Sequence, residues 1–176
     1  GLRDVPRSIA ILGSGAVGVE FASIFRRFGS KVTILELLPR IVPAEDEAVS
    51  AELEKSFRKQ GISVHTGTKV TKATASMAGV DIEAQWPDGG TEKLSADYLL
   101  VATGRGPVTA GLGVEGLGLN LDRGYITVDR LFRTGVPGFS AVGDVISFGG
   151  GAGSHPQLAH VSSAEGIIAA ERIAGQ

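Results

Sequence analysis

Gly13, Gly15 and Gly18 are spaced as GxGxxG inside the run AILGSGAVGVEF, residues 10–21. Each glycine answers a different steric demand at a strand-to-helix bend. The first admits a tight turn out of the strand. The second leaves no side chain where a pyrophosphate would lie against the backbone. The third lets the helix pack close to the sheet. A helix starting there aims unpaired N–H groups, and a partial positive charge of about half a unit, at an anion. Glycine-rich turns that bind nothing are common, so this spacing alone is a weak signal. It gains weight from Glu36, 18 residues beyond Gly18 at the end of the next apolar run. An acid near that spacing is what a dinucleotide ribose requires.

Glu36 also bears on which dinucleotide. Its carboxylate can accept hydrogen bonds from a ribose 2′-hydroxyl but would repel a 2′-phosphate. Two unit charges about 4 Å apart, at an effective dielectric near 20, repel by about 4 kcal/mol. The reading is therefore NAD in preference to NADP. Arg40, close in sequence, is a cation that complicates this preference. The plain alternative for Glu36 is a solvated acid at a strand end.

These residues need elements to hold them. Residues 8–12 (SIAIL) read as a buried strand, and residues 16–28 as a helix with Val17, Phe21, Ile24, Phe25 and Phe28 on its apolar stripe. Residues 31–35 (KVTIL) are a second strand, which completes a strand–helix–strand unit. A second helix runs to about Gln60, with Val49, Leu53 and Phe57 on one face, and residues 62–65 are a third strand. Hairpin strands follow over residues 68–94 around Pro87-Asp88-Gly89-Gly90, a strong turn signal, and then a buried strand at 98–102. Beyond Thr103 the chain loosens. Residues 125–128 and 139–142 read as short strands, and a last helix starts near Pro156 and runs to about Ala174. The expected fold class is α/β: a Rossmann-like parallel sheet with an antiparallel hairpin crossover. The expected boundary lies near residue 108, separating a domain over 1–108 from a different segment over 109–176.

Composition narrows the chemistry. The chain has 176 residues and a formal net charge of -2, which gives no reason to expect nucleic acid or an anionic membrane as partner. Its apolar runs are too short to span a bilayer, and no signal segment opens it. The expected location is cytoplasmic. There is no cysteine, which excludes disulfides, thiolate nucleophiles and thiolate-bound zinc from these residues. The first residue is Gly1 and the only methionine is Met77, so a processed or cut-out segment is expected.

Four stretches extend the pattern: GSGAVGVE at 13–20, ATGR at 102–105, AVGD at 141–144, and LAH at 158–160 with AEG at 164–166. Their order and spacing resemble the pyridine nucleotide-disulfide oxidoreductases over almost the whole chain. KQGISVHTGTKV and LAHVSSAEG are most similar to the dihydrolipoamide dehydrogenase branch, the flavoproteins shared by 2-oxo acid dehydrogenase complexes. The resemblance implies a parent that oxidises a dihydrolipoyl dithiol and passes electrons through FAD to NAD, as a homodimer within such a complex. It covers the family's NAD domain and a segment returning to its FAD domain. The family's FAD-binding glycine fingerprint, redox cysteine pair and dimerisation domain are not in it. The expectation is thus an NAD-binding module without turnover or catalytic residues of its own, with FAD implied for the parent only.

The resemblance also assigns roles. Gly13, Ser14, Gly15, Ala16, Val17, Gly18, Val19 and Glu20 would hold the NAD pyrophosphate and lead towards the nicotinamide. Glu36 would bind the adenosine ribose, Val70 would touch adenine, and Gly104 would approach the nicotinamide half. Asp144 would bind FAD near its ribityl chain in a complete enzyme, and Gln157, Leu158, Ala159 and His160 would lie by the flavin ring. A helix N-terminus there would stabilise a reduced flavin's negative charge. The stretch SFGGGAGSH, residues 147–155, is longer than the family's usual connection at that point.

Other readings stay open. Glu20 is either an exposed helical acid or a neighbour of the nicotinamide, and Arg105 either meets cofactor or pairs with an acid. His65 and Trp86 read as structural, and His160 as a plain helix-start residue. His155 and His160 lack further ligands, so no metal is expected. The glycines at 149–153 lack the Lys-Ser/Thr ending of a P-loop. Rivals to the main reading are a mercuric- or glutathione-type reductase, a methyltransferase, and a fragment that binds nothing.

Overall fold

A computed structural model describes residues 2–149 and 155–175. The chain divides into two compact units, Gly1–Gly104 and Arg105–Gln176. The division falls earlier than residue 108, for a local reason. The Tyr125 hydroxyl donates to the Arg105 carbonyl and the Thr109 hydroxyl to the Gly124 carbonyl, so residues just past Gly104 are tied to the second unit.

The first unit is built on a four-stranded sheet in the order β3-β2-β1-β7, all parallel. Its strands are β1 (Ser8–Leu12), β2 (Lys31–Leu35), β3 (Ser63–His65) and β7 (Tyr98–Val101). Helix α1 (Ala16–Arg27) connects β1 to β2, and α2 (Glu47–Lys59) connects β2 to β3. Asp46 caps α2 by accepting the Ala48 N–H at 2.8 Å, and acids in the first turn suit the helix dipole. Alternate residues of β1 and β2 serve two cores. Ile9, Ile11, Val32 and Ile34 join Ala22 and Phe57 in one core, whereas Ala10 and Leu35 join Ile82 in another. The second core is closed by an antiparallel sheet of β4 (Lys69–Ser76), β5 (Gly79–Gln85) and β6 (Thr91–Ala96). This sheet is the hairpin crossover expected from the sequence, turning at Trp86–Gly90 where Trp86 N–H donates to Gly90 at 2.8 Å.

Two helix faces differ from expectation. On α1 the buried residues are Gly18 and Ala22, with Val19 and Phe25 packed against the core. Val17, Phe21, Ile24 and Phe28 are exposed. The absent Cβ of Gly18 brings the helix in along the 18–22–25 line and turns the neighbouring large side chains outward. On α2, Ser50 is buried and donates to the Ile41 carbonyl at 2.6 Å, while Val49 is exposed.

The second unit holds β8 (Leu121–Asp122), β9 (Tyr125–Thr127), β10 (Ile146–Ser147) and α3 (Ala159–Ile173). Its core gathers Val114, Ile126, Val128, Phe132, Ile146 and Ala169. Residues 139–142 are not a strand. Ser140 forms an isolated bridge to Arg133, flanked by bonds from the Thr134 N–H to the Phe139 carbonyl and from the Ala141 N–H to the Phe132 carbonyl, and a 3₁₀ turn follows at Gly143–Val145. Helix α3 begins at Ala159, later than Pro156. Leu158 is its extended N-cap, so Gln157 and Leu158 precede the helix. Among the described residues, no helix is long and apolar enough to cross a membrane.

Candidate functional site at the glycine bend

Strand β1 ends at Leu12, and Gly13 reverses the chain at φ 97°. A Cβ at Gly13 would stand 2.5 Å from the Ala102 carbonyl oxygen, so this glycine also admits the end of β7. A Cβ on Gly18 would meet the Gly13 carbonyl oxygen at 2.2 Å. The third glycine therefore lets α1 close on the bend itself. Gly15 differs from both. Its φ of -66° suits any residue, and a Cβ there would meet nothing within 4 Å. Nothing in the folding of the bend demands a glycine at 15. An open approach to the backbone, with no side-chain cap on the first turn of α1, is what a bound pyrophosphate would demand.

Glu36 lies directly after β2 and is buried, 7% exposed. Its side chain turns into the bend. The Ser14 N–H and the Ser14 hydroxyl each donate to Glu36 Oε2 at 2.7 Å, and the Leu38 N–H donates to Oε1 at 2.8 Å. The acid is thus not the solvated strand end of the plain alternative. The bend is fixed from two further sides. Gly13 N–H donates to the Leu35 carbonyl, and Val42 N–H to the Ser14 carbonyl, both at 2.9 Å. Val42 does so at φ 39°, a left-handed backbone that a β-branched residue rarely adopts. The Arg40 guanidinium, expected to bear on selectivity, is occupied by the Pro43 and Glu45 carbonyls at 3.1 and 3.3 Å.

Ser14 is fully buried, whereas Gly15, Ala16, Val17 and Glu20 are exposed and Val19 packs against the core. Val70, at the start of β4, pairs with Ala84 and packs on the Leu35–Ile82 core. Gly104 is exposed at φ 132°, just past the end of β7. His65 packs against Trp86 with ring centroids 4.8 Å apart and the planes tilted by 46°, and burial, the largest influence on it, holds its pKa below the usual histidine value.

In the second unit, Asp144 is exposed on the 3₁₀ turn, and Gln157 Nε2 donates to its carbonyl at 3.2 Å. That contact draws Asp144 together with the Gln157–Leu158–Ala159–His160 stretch at the head of α3; His160 is exposed. Sequence reasoning missed the group beneath them. His155, buried, has Nε2 2.5 Å from Glu165 Oε1, and Glu165 Oε2 accepts the Gly143 N–H at 2.8 Å. No local sequence signal joins a histidine before α3 to an acid within it. The glycines at 150–153 lie outside the described residues. Among those described, no group of three or more His, Cys, Asp or Glu is placed to hold a metal ion.

Residues 2–166 match the family model described as pyridine nucleotide-disulphide oxidoreductase. The dihydrolipoyl dehydrogenase of Chlorobaculum tepidum is 44% identical over 175 residues, covering 99% of this chain and 36% of the relative. Dihydrolipoyl dehydrogenase 3 of Pseudomonas putida is 43% identical, again over 36% of its length. Among solved structures, the HOCl-induced flavoprotein disulfide reductase RclA of Escherichia coli, as its Cu(II) complex, matches with a TM-score of 0.87 at 32% identity, over 100% of this chain and 38% of that one. LpdA of Mycobacterium tuberculosis matches at 0.84 with 33% identity, over 99% and 36%. The chain therefore spans a little over a third of the length of these relatives.

Proposed function

The chain belongs to the pyridine nucleotide-disulphide oxidoreductase family, and on that footing we propose that its first unit binds NAD(H) at the glycine bend. The observation that carries this reading is the contrast among the glycines. Gly13 and Gly18 are required by backbone contacts, but Gly15 faces open space. With a carboxylate held against the same bend, this arrangement suits a dinucleotide. In this reading the backbone of residues 13–20 holds the pyrophosphate, Glu36 accepts from the adenosine ribose, Val70 borders adenine, and Gly104 and Glu20 lie towards the nicotinamide. The bound nucleotide supplies a hydride acceptor. The chain's own residues bind it, orient it and discriminate against a 2′-phosphate.

The second unit would be the connector and part of the FAD-binding domain. Asp144 and residues 157–160 are proposed to border the flavin, a reading supported by their juxtaposition at the head of α3. The parent activity we propose is oxidation of a dihydrolipoyl group by NAD, in a dimeric flavoprotein serving a 2-oxo acid dehydrogenase complex. The thiol–disulfide step is not performed by these 176 residues, which contain no cysteine. Titration of the chain with NADH and NADPH, followed by nucleotide fluorescence, tests the reading. Saturable binding with NADH preferred at least tenfold is expected. Equal affinities would remove the role of Glu36, and no binding of either would remove the reading.

A further inference from the structure

We infer that Ser14 is a positioning residue that sets the dinucleotide preference by acting through Glu36. The inference rests on the NAD reading above. Ser14 is fully buried, yet every polar group it owns is engaged: N–H and hydroxyl donate to the same Glu36 oxygen, and the carbonyl accepts from Val42. The family reading gave this position a role in holding the pyrophosphate. The side chain does something else.

A carboxylate offers about four acceptor positions. Three on Glu36 are filled, two on Oε2 by Ser14 and one on Oε1 by Leu38. This has two consequences. The acid cannot swing aside for a 2′-phosphate without breaking charge-assisted hydrogen bonds, which are among the stronger ones in proteins. It also presents one open acceptor position, on Oε1, so it reads a single ribose hydroxyl directly. Preference for NAD then depends on Glu36 being held in place as well as on its being charged. Of the three donors, only the Ser14 hydroxyl belongs to a side chain, so only it can be removed by substitution without altering the backbone.

The test uses the full 176-residue chain and measures dissociation constants for NADH and NADPH in wild type, Ser14→Ala, Glu36→Gln and the double variant. Ser14→Ala is expected to lower the NADPH-to-NADH ratio of dissociation constants about tenfold, the loss of one charge-assisted hydrogen bond, while NADH affinity changes less than about threefold. In the Glu36→Gln background, adding Ser14→Ala is expected to leave the ratio unchanged within about twofold, because the hydroxyl acts through the charge. A purely structural serine would weaken both nucleotides together and leave the ratio alone. A wild-type ratio retained in Ser14→Ala overturns the inference, as does a shift that persists in the double variant. Should Ser14→Ala fail to fold, Ser14→Cys, with only a weak S–H donor, is read the same way. A wild-type chain that binds neither nucleotide overturns the NAD reading and this inference together. NADH preference that is intact but insensitive to Ser14 overturns this inference alone.

Discussion

Substituting alanine at two of the three glycines separates what the fold needs from what a ligand needs. At Gly18 the added Cβ would lie 2.2 Å from the Gly13 carbonyl oxygen and 3.0 Å from its carbon. Ordinary C···O contacts are about 3.3 Å or longer, so helix and bend must part by roughly 1 Å. Overpacking of this kind costs about 1–3 kcal/mol, and the backbone has no rotamer with which to relieve it. Exchanging glycine for alanine inside a helix returns up to about 1 kcal/mol. The clash is deep and falls on backbone atoms, which places its cost near the upper end, so the net loss for Gly18→Ala is about 2 kcal/mol, a fall of roughly 8 °C or more in the melting temperature of a unit this size. At Gly15 the added Cβ meets nothing and the backbone is unstrained. A poorer N-cap and a stiffer unfolded chain nearly cancel, so Gly15→Ala should melt within about 2 °C of wild type. Its NADH affinity should fall about 10–100-fold, because the methyl holds the pyrophosphate off the N–H donors. Thermal unfolding by circular dichroism and NADH fluorescence titration on the same samples measure both. Wild-type NADH affinity in Gly15→Ala would refute the placement of the pyrophosphate. A melting temperature unchanged in Gly18→Ala would refute the close approach of α1.

Three further outcomes follow from the same contacts. Glu36→Gln removes the charge facing a 2′-phosphate, so NADPH should bind at least tenfold more tightly while NADH loses less than tenfold, in paired titrations. His65 titrates below its unfolded value of about 6.5, chiefly through burial, with Glu92 opposing and Arg58 adding to the effect. The unfolded chain then binds the proton more readily, so this contribution is fully present above about pH 6.5 and is lost as pH falls towards the folded pKa. Urea midpoints of wild type should drop over that range, and the drop should shrink in His65→Gln. In His155→Leu the buried Glu165 keeps the Gly143 N–H but loses its histidine partner. A loss of about 1–3 kcal/mol, seen as a lower urea midpoint at unchanged slope, is expected, and an unchanged midpoint would show the pair to be idle.

What could be read from the sequence was what depends on neighbouring residues. The bounds of β1 and β2, the helix between them, the acid after β2 and the Pro-Asp-Gly-Gly turn follow from period and turn chemistry over short windows. The facing of the helices did not follow. Phe21 and Ile24 outrank Gly18 and Ala22 in hydrophobicity, yet the smaller pair faces inward because backbone approach, not apolar content, sets the rotation of α1. Ser50 displaced Val49 from the α2 interface because its hydroxyl reaches the Ile41 carbonyl. The two-residue strands β8 and β10 are too short to carry a period. The His155–Glu165 pair joins a residue ahead of a helix to one inside it, a contact that no window of the sequence announces.

The candidate site was legible in its residue types but not in its wiring. Glu36 was expected as a ligand to ribose, and Ser14 as part of a phosphate loop. The structure joins the two to each other. Gly13 N–H to Leu35 and Val42 N–H to Ser14 complete the fixation, and Val42 accepts an unfavourable backbone to make its bond. Strain of about 1–3 kcal/mol in one residue persists only where surrounding contacts outweigh it. Here those contacts hold the bend and the acid in one geometry. A nucleotide arriving at Gly15 would therefore not have to order the loop that receives it, and that cost would be absent from its binding free energy. A glycine bend alone is flexible. Buttressed on both sides by a serine, an acid and a strained valine, it becomes a rigid surface on which discrimination between two nearly identical nucleotides is physically possible.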